Sequence, residues 1–140
     1  MSKYIVINGD KVTFQSTFGA ATAGPIPPIT IMGSGHAKIL GEKVCIDGDE
    51  KRVTLSCTYK TDVYKTPGTC SLSIEDLASD QTADHTFNGE KVITVGNEFT
   101  AKLDVIVPAQ TTSTTPVSDN NTTYKGNGKF ENTQSFVTAE

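Results

Sequence analysis

Apolar and polar residues alternate along this chain in short runs, and turn residues interrupt the runs every few positions. Period-two alternation predicts half-buried strands rather than amphipathic helices. Within Val53–Tyr59 it places Val53, Leu55 and Cys57 on one face. Tyr4–Ile7 and Lys11–Phe14 flank Asn8-Gly9-Asp10, and an Asn-Gly pair between two such runs predicts a hairpin because both residues tolerate positive φ. Further strands are expected over 37–39, 43–46 and 84–107, the last ending in Leu103–Val107 and closed by Pro108. Residues 71–83 begin as a strand, although Ser73–Leu77 also permits a single helical turn. Short β-like pieces follow at Lys129-Phe130 and Ser135–Val137.

One phrase occurs twice. Gly41-Glu42-Lys43-Val44-Cys45-Ile46-Asp47-Gly48-Asp49-Glu50 returns as Gly89-Glu90-Lys91-Val92-Ile93-Thr94-Val95-Gly96-Asn97-Glu98, with six of the ten positions identical. A shorter echo, Gly9-Asp10-Lys11-Val12, stands behind Asn8 as Gly89 stands behind Asn88. Repeated units need neighbours to bury their apolar faces. The separations between these echoes are unequal, which favours one compact pseudo-symmetric domain over an open solenoid.

Two stretches break the alternation. Residues 19–36 are uncharged until His36, and Pro25, Pro27 and Pro28 forbid a helix there. Such an apolar stretch is either buried against a sheet or held at a contact with another chain. From Gln110 to Asn121 the chain is dominated by Thr, Ser and Asn, which predicts a loop or linker. The expected division is a β domain over 1–109 and a low-complexity segment over 110–140 that either packs back or carries cargo.

The chain has 140 residues, enough for one core, with 12 Gly, 6 Pro, no Trp and abundant Thr. That composition fits an all-β protein of many short turns. A net charge of −4 with scattered lysines argues against a nucleic-acid partner. The apolar run at Tyr4–Ile7 is too short for a signal-peptide core, so synthesis and folding in a cytosol are expected. Three cysteines, an odd number, do not suggest a disulfide framework.

No nucleophile–base pair, phosphate-binding loop or zinc motif of standard spacing is present, so no enzyme is expected. Asp47-Gly48-Asp49-Glu50 lacks the ligand order of a calcium loop and is read as a solvated β-turn. His36 and His85 fall one position apart in the repeat alignment. Converging strands would bring them together, with Cys45, Cys57 or Cys70 available to complete a zinc or iron site. Buried free cysteines and surface histidines are the plainer reading.

The frame Gly33-Ser34-Gly35-His36-Ala37-Lys38-Ile39-Leu40-Gly41-Glu42-Lys43-Val44-Cys45-Ile46-Asp47-Gly48-Asp49 resembles the PAAR-like spike-tip proteins of contractile injection systems. Leu72-Ser73-Ile74, Asp80-Gln81-Thr82-Ala83 and Asn88-Gly89-Glu90-Lys91-Val92 look like the longer variants of phage-tail-like particles. The resemblance implies an all-β, cone-like or prism-like domain of short strands with pseudo-threefold repeats. It also implies a monomeric cap on a trimeric, VgrG-like β-helical spike that pierces a target cell membrane when a sheath contracts. Assembly would occur in a bacterial cytoplasm, with the tip extracellular after release and effector cargo as a further passenger. Family members often hold zinc or iron through histidines and a cysteine, which makes His36, His85 and Cys45 the candidates. The uncharged segment supplies candidate spike contacts at Pro25, Ile26, Pro27, Pro28, Ile29 and Ile31. The competing expectation is a small β-sandwich module that binds a ligand or carbohydrate. The lack of Trp and the presence of only 4 Tyr leave few stacking platforms for sugars.

Overall fold

A computed structural model describes residues 3–132, 134 and 137–139, with the backbone alone described for 84–88. The fold is all-β. Its strands are β1 (Lys3–Tyr4), β2 (Lys11–Phe14), β3 (Thr17–Phe18), β4 (Ala21–Ala23), β5 (Ile29–Thr30), β6 (Lys38–Ile39) and β7 (Glu42–Lys43). They continue with β8 (Thr54–Thr61), β9 (Gly68–Asp76), β10 (Thr82–Asn88), β11 (Glu90–Ile93), β12 (Phe99–Val107), β13 (Thr123–Glu131) and β14 (Thr138–Ala139). Asp49–Arg52 forms one short 3-10 turn.

Eight strands make an antiparallel sheet in the order β3-β4-β8-β9-β12-β13-β2-β5, curled into a half-barrel. The predicted alternation builds it. Cys70, Leu72 and Ile74 of β9 and Phe99, Ala101 and Leu103 of β12 are buried on the concave side. Thr54, Ser56, Thr58, Lys125 and Lys129 face outward. Glycines let the sheet curl tightly. The Phe18 ring lies over Gly126, and the Gln15 amide donates to the Asn127 carbonyl at 2.9 Å, drawing the β3 end of the sheet toward β13. Phe99 sits over Gly128 and meets Phe14 edge-on at a ring separation of 5.6 Å.

The described residues of 110–140, a stretch set apart by composition, are woven into this structure. β13 lies inside the sheet, between β12 and β2. The Thr/Ser/Asn loop before it is held by bridges from Gln110 to Thr66 and to Ser118, and by the Asp119 amide on the Ala109 carbonyl at 2.8 Å.

Two local expectations are corrected. The turn at Asn8-Gly9 does not close a hairpin, since β1 pairs with β14 while β2 pairs with β13 and β5. The physical reason is a division of burial. Ile5 and Ile7 enter a small apolar cluster with Ile39, Val44, Ala83, Val92 and Ala139, whereas Val12 and Phe14 enter the main core. Val6, between Ile5 and Ile7, joins the main core as well, and the backbone of 4–8 is hydrogen-bonded to 43–47 and 91–95 rather than to β2. The single helical turn allowed at Ser73–Leu77 does not form, because Leu72 and Ile74 are buried as alternate residues of β9 between β8 and β12.

Candidate functional site

The small unit is a closed triangle of three extended segments, 4–8, 43–47 and 91–95. In one ring of hydrogen bonds, the Asn8 amide donates to the Lys43 carbonyl at 2.8 Å, Asp47 to Lys91 at 2.8 Å, and Val95 to Tyr4 at 2.9 Å. A second ring runs the other way. Val6 donates to Ile93, Ile93 to Cys45, and Cys45 to Val6, each at 2.9 Å. The antiparallel bridges Ile5–Thr94, Ile7–Val44 and Ile46–Val92 repeat the same cyclic relation. Val6, Cys45 and Ile93 are equivalent positions, and all three are wholly buried in the main core. Each segment has a neighbour on both sides, so the triangle exposes no unpaired strand edge between its members.

Each segment ends in a glycine turn with positive φ, at Gly9, Gly48 and Gly96. In the first two, an aspartate folds back on the strand. The Ile7 amide donates to Asp10 Oδ2 and the Ile46 amide to Asp49 Oδ2, both at 2.9 Å. The third unit differs: the Thr94 amide donates to the Gln81 carbonyl at 3.0 Å, and the Asn97 amide to Asp80 Oδ2 at 3.0 Å. The structural repeat therefore matches Ile7-Asn8-Gly9-Asp10 to Ile46-Asp47-Gly48-Asp49. The short Gly9–Val12 echo, matched by identity to Gly41–Val44, is out of phase with it.

The solvated turn expected at Asp47–Glu50 is also corrected. Asp49 and Glu50 are buried, at 4% and 3% exposure. Asp49 accepts from the Ser34 amide at 2.9 Å, the Ser34 hydroxyl at 2.6 Å and Arg52 at 2.7 Å, besides Ile46. Glu50 accepts from the Gly48 amide at 2.6 Å. Buried charge persists only where such donors replace water.

The candidate metal ligands fall in different surroundings. Cys45 is wholly buried on the ring; burial, reinforced by Asp49 and Asp10, pushes its thiol far above the usual range. Those surroundings favour the neutral thiol and do not fit a thiolate ligand. His36 is exposed on the stretch leading into β6. His85 lies on β10, and its side chain is outside the described residues. Among the described residues, no three His, Cys, Asp or Glu side chains are grouped to hold a metal.

The proline segment is split by burial. Pro25, Pro27 and Pro28 are exposed, Ile26 and Ile29 are half-buried against the main core, and Ile31 is wholly buried within it. Ile29 lies on β5 at one edge of the sheet. Ile26, Pro27 and Pro28 wall an open cleft of about 290 Å³ with Val12, Lys11 and Glu131.

A buried polar knot went unforeseen in the sequence. Asp119 Oδ2 accepts from Tyr59 at 3.0 Å and from Tyr124 at 2.7 Å, while Oδ1 accepts from the Asn121 amide at 2.9 Å. The Ala109 amide donates to the Tyr59 hydroxyl at 2.9 Å. Burial pulls the Asp119 pKa upward, but the bonds from Tyr124, Asn121 and Tyr59 outweigh it and hold the carboxyl below its usual value. Burial first, then the bond to Asp119, pushes the Tyr124 hydroxyl up to about 12.

The chain is thus a curled all-β half-barrel that carries a closed three-segment ring. The family model of the contractile injection system spike tip protein matches residues 1–140, and the chain belongs to that family. A search of curated proteins finds no match. Among the described residues, no helix is long and apolar enough to cross a membrane.

Proposed function

We propose that this spike tip caps a trimeric, VgrG-like β-helical spike as a single copy and meets the target membrane first when the sheath contracts. The closed ring of Val6, Cys45 and Ile93 carries this reading. One chain has no true threefold axis, yet a trimeric spike presents three equal faces. Three backbone segments joined in cyclic order give one chain three comparable sides, which removes the symmetry mismatch. Capping also covers strand ends of the spike that would otherwise be free to pair. The exposed Pro25, Pro27 and Pro28 beside the β5 edge are the proposed contact, with Ile26 and Ile29 behind them.

A piercing role requires stiffness rather than turnover. The bonds around Asp49 and Asp119 supply it, since Asp49 ties its turn to the segment at Ser34 and Asp119 ties its loop to Tyr59 on β8. The experiment is co-expression with a trimeric spike protein, followed by mass determination of the intact complex. One tip per three spike chains supports the reading; a folded tip that forms no complex contradicts it. Metal content of the same sample tests whether zinc or iron is held at His36 and His85; the buried, neutral Cys45 does not fit as a ligand.

A further inference from the structure

Cys57 and Cys70 stand directly opposite each other on β8 and β9, with their sulfur atoms 3.5 Å apart. Both are free thiols. A disulfide needs sulfurs about 2.05 Å apart and Cα atoms within roughly 4.4–6.8 Å. Directly opposed residues of an antiparallel pair hold their Cα atoms about 4.5–5.5 Å apart, inside that window. Bridging these two therefore requires side-chain rotation and no displacement of either strand. Access is graded in a useful way. Cys57 is half-buried and within reach of a small oxidant, whereas Cys70 is wholly buried.

We propose that Cys57 and Cys70 form a cross-strand disulfide on exposure to a low-molecular-weight disulfide such as oxidised glutathione, fastening β8 to β9 in the body of the half-barrel. The Cys57 thiolate attacks one sulfur of the oxidant, forming a mixed disulfide and expelling one thiolate, which takes up a proton. The Cys70 thiolate then attacks Cys57 Sγ, forming the internal bond and expelling the second thiol of the oxidant. Two protein thiols lose two electrons and two protons, and one small disulfide becomes two small thiols. Burial, and next the neighbouring Cys57, push the Cys70 thiol up to about 12. The closing step is therefore slow at neutral pH and quickens as pH rises. This inference does not rest on spike docking.

The test uses the full chain, purified reduced and then incubated with oxidised glutathione at mildly alkaline pH. Free thiols are alkylated in denaturant and intact and tryptic masses are measured. The expected product has a single alkylated thiol, at Cys45, a mass lower by two hydrogens before alkylation, and a peptide pair linked through Cys57 and Cys70. Its thermal midpoint should rise by about 5 °C or more, because the bond restricts the unfolded chain. Cys57→Ser should abolish both the link and the shift. Three alkylated thiols, a lasting glutathione adduct on Cys57, or a Cys57-linked dimer would each overturn the proposal. A bridge without a rise in midpoint would overturn the fastening role.

Discussion

The amide of Cys45 donates to the carbonyl of Val6 at 2.9 Å, and this bond closes a ring that joins three distant parts of the chain. Ile93 supplies the third member, and its side chain is wholly buried in the main core that also holds Val6 and Cys45. Ile93→Ala should cost about 2–5 kcal/mol, the range for emptying a packed aliphatic site. Ile106, 61% exposed on β12, is the comparison: Ile106→Ala should change stability by less than about 0.5 kcal/mol. Denaturant unfolding of both variants checks the contrast, and equal losses would contradict it.

Leu40 offers the opposite sign. It adopts φ 55° in the Leu40-Gly41 turn between β6 and β7, although its side chain is 65% exposed. Left-handed backbone is costly for a branched side chain and well suited to Asn. Leu40→Asn should stabilise the protein by about 1 kcal/mol, read as a higher unfolding midpoint. A lower midpoint would show that Leu40 makes a contact worth more than the turn strain.

Asp119 should give the protein an acid-sensitive component. Its carboxyl titrates below the usual value in the folded state, so its stabilisation is fully present above the unfolded value, near 4. It is lost as pH falls through the folded value. The stability difference between wild type and Asp119→Asn should therefore be large at pH 7 and shrink steadily below about pH 4. Urea titrations across that range measure it, and a constant difference would contradict the assignment.

Gly128 tests how tightly the half-barrel is wound. A Cβ there would lie 2.5 Å from Phe99 Cζ and 2.5 Å from the Thr13 carbonyl oxygen. The ring can shift but the backbone oxygen cannot follow easily, so Gly128→Ala should destabilise by about 1–3 kcal/mol. Thermal denaturation decides it, and a neutral result would mean that β13 and β2 are less closely apposed than described.

Much of this architecture was legible in the sequence where the information is local. Alternation located β8 and β12, and the Gly41 and Gly89 phrases marked two of the three ring units. The third was harder because identity misleads: Gly9-Asp10-Lys11-Val12 matches Gly41–Val44 at three of four letters, yet the ring equates Val6 with Cys45. Ring membership depends on which backbone groups meet across the chain, and such pairing leaves little trace in residue type. For the same reason, Asn8-Gly9 read as a hairpin although its two flanks pair with different strands. Asp49 looked like a solvated turn residue because its partners Ser34 and Arg52 lie outside the motif. The loop 110–121 looked loose because Tyr59, which anchors it through Asp119, is far away in sequence. His36 and His85 do sit on the approach to equivalent turns, at Gly41 and Gly89.

The intact mass of the complex between this chain and a trimeric spike, measured under native conditions, decides whether a single copy caps the spike. The threefold ring predicts one tip per three spike chains, with binding weakened when Pro25, Pro27 and Pro28 are replaced by charged residues. Three tips per spike, or no complex from folded protein, would contradict a single-copy cap.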